Sequence, residues 1–447
     1  MMETVSQISK KLRSGKLDAV ELTEQVLEQI KSCDDQAIFI DVLADRARAE
    51  AKASRRRLKA GNPAGGLDGV PIGWKDLFDI EGHVTTAGSV VLKSNPPAKA
   101  DAALVDAAKR AGMVAIGTLN MTEFAYSGIG INPHYGTPRN PNDAKVHRSP
   151  GGSSSASGVV VAKGLLPVAI GTDTGGSIRI PASFNGVVGY KSSTGHYDMR
   201  GVFPLSRTLD ALGPLAQTVE DCVLVDRVLC GSRKVIAKRY VKGMEFVVPT
   251  NVMFDGIEDA VQSNFDAALS RISKVGGKIK RKPFPVFEKF FELLKNRGNV
   301  LGPEALHVHF ARVNGPDASR MDIRVVKRIK LAENMTAVDL VEILIQRKAL
   351  IAECNELIGG AIVICPTTPH VATDIKPLEA DMDLFFQVNA KTLRNTMIGN
   401  FLDWCGLAIP SGADREGMPT SFLLSAPHGH DAQILGSGLA LEGLIRG

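Results

Sequence analysis

The sequence predicts an α/β protein built as one large domain, and three observations carry that expectation. Short apolar runs at residues 70–74, 114–117 and 168–171 alternate with helical stretches and Gly-rich turns from 67 to about 215, the pattern of a sheet covered by helices on both faces. Strand-like runs return at 361–365 and 420–424, each ended by proline or polar turns. No internal repeat and no Pro- or Ser-rich linker divides the 447 residues, and a hydrophobic content of 44% suffices for a large core.

Taken in order, residues 1–60 read as a helical arm. Asp18 and Glu21 have the spacing of a capping box, and Leu22, Val26 and Ile30 fall on one helical stripe. Residues 67–222 form the expected catalytic core. Residues 233–356 are richer in charge and poorer in glycine, with helical candidates near 261–275 and 338–357, and carry no recognisable motif. Residues 357–447 are expected to return to the sheet.

Several function classes drop out early. No run of about 18 apolar residues occurs, and the first six residues lack a charged and then apolar leader, so a soluble, cytoplasmic protein with no membrane partner is expected. The six cysteines include no C-x-x-C pair and read as reduced thiols. The net charge of +5 is mild. Its densest runs, Arg55-Arg56-Arg57 and residues 278–282, read as solvated faces, not as a nucleic-acid surface. His307 with His309, and His428 with His430, lack a third ligand at suitable spacing, so no metal is expected.

Two segments have a glycine and serine density wrong for a core: residues 150–158 (Pro-Gly-Gly-Ser-Ser-Ser-Ala-Ser-Gly) and 171–179 (Gly-Thr-Asp-Thr-Gly-Gly-Ser-Ile-Arg). Each sits at an expected strand, turn and helix junction, where glycine allows close backbone approach and exposed N–H groups attract negative charge. A phosphate cradle fails on spacing: no G-x-x-x-x-G-K-[ST] occurs, and Pro133 stands where a dinucleotide fingerprint after Gly128-Ile129-Gly130 needs glycine. Arg179 likewise breaks the G-x-S-x-G elbow. From chain order alone a Ser-His-Asp arrangement stays open, although no histidine lies in a motif that suggests it.

These two segments resemble the amidase signature family, whose Gly- and Ser-rich stretch ends in a pattern similar to Asp173-Thr174-Gly175-Gly176-Ser177-Ile178-Arg179-Ile180-Pro181. Residues 69–76, 186–191, 208–214, 365–367 and 409–412 are similar to further family segments. The resemblance is dense from 15 to 222, thin over 233–356 and moderate beyond. It implies a mixed, mostly parallel sheet between helices and makes Ser177 the nucleophile, Ser153 a bridging serine after a cis peptide, and Lys75 the base. The N–H groups of Thr174, Gly175, Gly176 and Ser177 would form the oxyanion hole, Arg179 would brace the loop, and neither metal nor organic cofactor is implied. Chemically this is coherent: serine needs an adjacent base, and lysine serves only if burial lowers its pKa. Ser153 at a helix N-terminus suits transient negative charge.

The chain departs from the family at Ser155 and Ala156, where glycines are frequent, which puts helix packing beside the pocket in doubt. Ser192-Ser193 after Lys191 is expected to be neutral. Some relatives that bind carboxylate substrates have arginine three residues after the nucleophile; Ile180 stands there, an argument against a dicarboxylic acid half-amide. The loop 121–130 resembles the one lining the acyl side, making Met121, Tyr126, Ser127, Gly128 and Ile129, together with His134, the expected substrate contacts. Residues 132–141 resemble relatives acting on small urea- or biuret-like amides. The expected function is hydrolysis of a linear amide through an acyl-Ser177 intermediate, with a small-molecule amide as partner and a homodimer left open. The alternatives are a glutaminase resembling the ammonia-releasing chain of glutamyl-tRNA amidotransferase, and an inactive binding protein of the same fold.

Overall fold

The computed structural model describes residues 2–232 and 234–447; Met1, where the expected arm begins, and Arg233, where the expected 233–356 segment begins, lie outside them. Eleven strands form one sheet: Phe39–Val42 (β1), Pro71–Lys75 (β2), Val114–Leu119 (β3), Val168–Asp173 (β4), Val188–Lys191 (β5), Ala211–Ala216 (β6), Glu245–Pro249 (β7), Lys278–Lys282 (β8), Ile362–Pro366 (β9), Cys405–Ala413 (β10) and Pro419–Ala426 (β11). Their spatial order is β1-β3-β2-β4-β6-β5-β10-β11-β9-β7-β8. This is a single α/β domain with a mixed sheet. The expectation of a mostly parallel sheet is corrected: among the described residues only β3-β2-β4 and β9-β7-β8 run parallel, and the other neighbours are antiparallel.

A tight turn explains part of that correction. β10 and β11 are joined at 414–418, where the Asp414 carboxylate accepts from Glu416 N at 2.9 Å and Met418 N at 2.8 Å and Gly417 takes φ +85°. So short a connection permits only an antiparallel pair.

The first 60 residues contain the helices Val5–Arg13, Ala19–Lys31 and Ala44–Lys59 and also β1. Asp18 caps the second helix by accepting from Val20 N at 2.8 Å and Glu21 N at 3.3 Å, while Leu22, Val26 and Ile30 are buried. In 234–356 the helices Asp259–Lys274 and Ala337–Ile358 cover the two helical candidates, but the segment also supplies β7 and β8. The basic run 278–282 is the edge strand β8; its exposed Lys278, Lys280 and Arg281 discourage pairing with another chain.

The site is anchored in a fully buried part of the sheet. Every residue of β2, β3, β4 and β6 is buried, with Trp74, Val160, Ile170 and Leu215 fully enclosed; each such side chain contributes about 1.5–3 kcal/mol. The helix Ser155–Ala162 packs on this layer. Ser155 and Ala156 are themselves fully buried, and Ala156 N donates to Asn120 O at 3.1 Å, so the missing glycines do not hold the helix away. Among the described residues no helix is long and apolar enough to cross a membrane, and all six cysteines are free.

Candidate active site

Lys75 ends β2, held in register by Trp74 opposite Ile170 of β4 and by its own pairing with Leu119 of β3. Its side chain is fully buried, with Nζ 2.7 Å from Ser153 Oγ and 2.8 Å from Thr172 Oγ1. Burial pushes the ammonium down to about 7, against the opposing pull of Asp210 and Asp173. An amine titrating there can take up a proton at neutral pH.

Ser153 is fully buried and follows a cis peptide after Gly152. Close backbone approach sets that position: a Cβ on Gly152 would sit 2.6 Å from Gly130 N and from Ser127 O. Ser153 O accepts from Thr122 N at 3.1 Å, and Ser154 N donates to Ser177 O at 3.2 Å, which ties the two serine segments together.

Ser177 lies in the turn between β4 and the helix Arg179–Asn185. The Asp173 carboxylate organises this turn, accepting from Gly176 N at 2.9 Å, Ile178 N at 3.1 Å and Arg179 N at 3.4 Å. Arg179 braces it, with Nε and Nη2 on Asp173 at 3.0 and 2.9 Å and Nη2 also on Thr396 O and Asn400 Oδ1 at 3.0 and 2.6 Å. Burial alone would raise the Asp173 pKa, but Arg179, Lys191 and Asn400 outweigh it and hold the carboxyl well below its ordinary range. Gly176 has φ +136°, and a Cβ there would overlap Thr396 Oγ1.

Ser177, Thr174 and Gly175 line one cavity of about 640 Å³, its open mouth included. Among the described residues the Ser177 hydroxyl makes no hydrogen bond of its own, so the link from Ser153 to Ser177 is not closed as it stands. The expected set of oxyanion donors needs one correction: the Gly176 N–H is already donated to Asp173 and Gly176 does not line the cavity, whereas Thr174, Gly175 and Ser177 do. The Thr174 hydroxyl donates to Asp210 Oδ1 at 2.5 Å, fixing Thr174 from behind.

Of the expected substrate contacts, Tyr126 and Ser127 line the cavity. Met121, Gly128 and Ile129 stand behind it. Met121 is buried with its carbonyl on Asn132 Nδ2 at 2.7 Å, Gly128 N donates to Asn389 Oδ1 at 2.8 Å, and Ile129 packs in a cluster with Ile375 and Phe385. His134 turns to Glu123, with Nε2 3.0 Å from Oε1. Two regions without a sequence motif supply the opposite wall: Leu393, Met397 and Asn400 from the helix Met382–Phe401, and Arg328 from the helix Ile323–Lys330. Neither carried a signal beyond ordinary helical periodicity.

Away from the cavity, His196, Asp226 and Cys230 place potential ligand atoms within 4.8 Å of one another. His196 Nε2 is 2.8 Å from Asp226 Oδ1, which also accepts from Tyr197 OH at 2.5 Å. Burial opposes protonation of His196, but Asp226 and Cys230 outweigh it and push the imidazole up to about 10. That is an ion pair already satisfied by protein.

Comparison with known proteins gives the family and the fold. The Amidase family model matches residues 21–435. The chain is 33% identical over 413 residues to 2-amino-5-chloromuconic acid deaminase of Comamonas testosteroni, covering 90% of this chain and 87% of that one. It is 30% identical to one chain of the glutamyl-tRNA(Gln) amidotransferase of Streptomyces avermitilis, over 98% and 94% of the two chains. A crystal structure of an amidase superposes with a TM-score of 0.88 at 29% identity, over 99% of this chain and all of that one. With the family matched across nearly its whole length and the sheet, turn and buried lysine in place, the chain belongs to the amidase signature family.

Proposed function

We propose that this protein hydrolyses a small linear carboxylic acid amide through an acyl-enzyme on Ser177, with Ser153 as proton relay and Lys75 as base. The observation that carries the reading is the 2.7 Å contact between Lys75 Nζ and Ser153 Oγ, beside a serine that opens on the cavity. In the neutral form, Lys75 takes the Ser153 proton while Ser153 takes that of Ser177, whose oxygen attacks the amide carbonyl. The developing oxyanion is met by the N–H groups of Thr174, Gly175 and Ser177; one such donor is typically worth about 3–4 kcal/mol in the transition state. Collapse returns the proton through Ser153 to the leaving nitrogen, and water then cleaves the ester by the same relay. These steps use side chains and backbone alone.

The relative 2-amino-5-chloromuconic acid deaminase is named for a small acid, which favours a small ligand here. The free cysteines fit a reducing compartment, so we place the enzyme in the cytoplasm. Similarity to the glutamyl-tRNA(Gln) amidotransferase chain favours one alternative, a glutaminase.

Intact-mass labelling with a fluorophosphonate, compared between wild type and Ser177→Ala, tests the nucleophile. Ammonia release from an amide panel that includes glutamine tests the substrate. One adduct lost in Ser177→Ala, with turnover of a simple amide, supports the reading. Glutamine as the sole substrate moves it to the glutaminase, and neither label nor ammonia from any amide removes the catalytic reading altogether.

A further inference from the structure

We propose that two copies of this chain dock through the outer face of the helix Ala337–Ile358, antiparallel and about a two-fold axis beside Ile345, as a weak homodimer in solution. The inference is independent of the Ser177 chemistry and concerns a surface to which the amidase reading gives no role.

That helix is apolar on two sides. Ile343, Leu350, Cys354 and Ile358 are buried against the body of the protein, which is all that an ordinary surface helix needs. On the opposite side Val338, Val341, Leu344 and Ile345 are exposed at 71, 55, 43 and 59%. Four of the eleven large hydrophobic side chains exposed among the described residues therefore crowd into 338–345. Single apolar side chains on a surface need no explanation, but a contiguous stripe at i, i+3 and i+7 marks a surface made to be covered.

The order of residues along the stripe selects a second copy as the cover. Beyond Ile345 it continues through Lys348, Ala349 and Ala352, all exposed, so large side chains come first and small ones after. In an antiparallel pair centred on Ile345, Val338 of one copy faces Ala352 of the other and Val341 faces Ala349, while the two Ile345 side chains meet at the axis. Each large side chain then finds a small one, and the face is complementary to itself, as a two-fold contact requires. Charge selects the same arrangement. Glu342 and Lys348 flank Ile345 on opposite sides of the stripe and form no ion pair among the described residues, whereas Asp339 and Glu353 are committed to Arg297 at 2.9 Å and Lys289 at 2.8 Å. Antiparallel docking sets Glu342 of each copy beside Lys348 of the other; parallel docking sets like charges together and is disfavoured. One helix pair buries less than the roughly 1,200 Å² of a standard interface, so a dissociation constant on the order of 10 to 100 μM is expected.

Sedimentation velocity on the full chain, from about 1 to 300 μM, reads the association, and an unchanged Tm shows that each exposed substitution leaves the fold intact. A monomer–dimer equilibrium is expected for the wild type, and a monomer throughout for Ile345→Glu. Glu342→Lys alone should weaken association about 10-fold by setting lysine against Lys348 of the other copy, and adding Lys348→Glu should restore it. Disulfide trapping with copper phenanthroline reads the register, with the wild type, whose Cys33 and Cys230 are half-buried, as control. Ile345→Cys should crosslink, because residues on a two-fold axis come within disulfide reach, whereas Val338→Cys should crosslink only when Ala352→Cys is added. A chain that stays monomeric to the highest concentration overturns the proposal and leaves the stripe to a different protein. A dimer indifferent to Ile345→Glu, or one that the charge exchange does not restore, overturns it too. Crosslinking of Val338→Cys alone means a parallel pair and removes the antiparallel arrangement.

Discussion

Lys75 Nζ and Ser153 Oγ lie 2.7 Å apart with no solvent exposure at either side chain, and burial brings the lysine down to about 7. A base must be deprotonated before it can act. The pH profile of kcat/KM should therefore rise through an apparent pKa near 7 and level above it. A flat profile between about pH 5.5 and 8.5 would exclude Lys75 as the titrating base.

The same shift makes Lys75 a liability for stability. Its folded pKa of about 7 is below the ordinary 10.5, so between those values the unfolded chain holds a proton that the folded chain has lost. The cost of burying the charge is thus fully present below pH 7 and fades as pH rises toward 10.5. Lys75→Met should abolish activity yet stabilise the fold by about 1–3 kcal/mol at pH 6, and the gain should shrink by pH 9.5. Denaturant unfolding at both pH values reads this directly, and a loss of stability at pH 6 would count against a buried cation here.

Gly176→Ala should damage both fold and catalysis. The new methyl overlaps Thr396 Oγ1 on a backbone at φ +136°, so strain adds to steric conflict. A cost of about 2–4 kcal/mol is expected, with slowed fluorophosphonate labelling because Gly175 and Ser177 flank the change. A Tm within a degree of wild type would show that the turn can relax around it.

How much of this was readable in advance follows from where each residue gets its position. Lys75, Ser153 and Ser177 sit in or beside strands whose apolar runs and glycine-dense turns are local features, so their neighbourhood was legible before any fold was known. Arg328 was not, because its helix reads as an ordinary amphipathic one and only packing of Val325, Val326 and Ile329 aims it inward. Gly128 and Ile129 share a loop with Tyr126, but the loop's hydrogen bond to Asn389 turns them from the cavity. The hairpin of β10 and β11 did have a signal, Asp414 and Gly417 around a short turn. It was overshadowed by the mostly parallel sheet that the family resemblance implied.

Arg179 and Asp173 form a fully buried pair, 2.9 Å apart. Arg179→Met would leave the carboxylate without its counter-charge and cost about 3–5 kcal/mol. The depressed Asp173 pKa contributes stability that is present above the ordinary carboxylate pKa of about 4 and lost as pH falls below it. In Arg179→Met that acid sensitivity should diminish. Urea titrations at pH 3 and pH 7 on both proteins test the sign: a larger pH effect in the variant would contradict it.

Asp210 connects the turn that carries Thr174 to Lys75. Its carboxylate accepts from Thr174 Oγ1 at 2.5 Å, Leu205 N at 3.0 Å and Ser206 N at 3.1 Å. Burial pushes it up to about 6, partly offset by these donors and by Lys75, while its charge in turn holds the Lys75 pKa up. Asp210→Asn keeps an oxygen for Thr174 and removes the charge. Lys75 then loses its proton more readily, and the acid limb of kcat/KM moves to lower pH. The new amide N–H₂ meets the Leu205 and Ser206 donors, which should cost about 1–3 kcal/mol. A purely structural role predicts that stability loss with the limb unmoved, so the pH profile separates the two: an unchanged limb, or one shifted upward, means that the Asp210 charge does not act on Lys75.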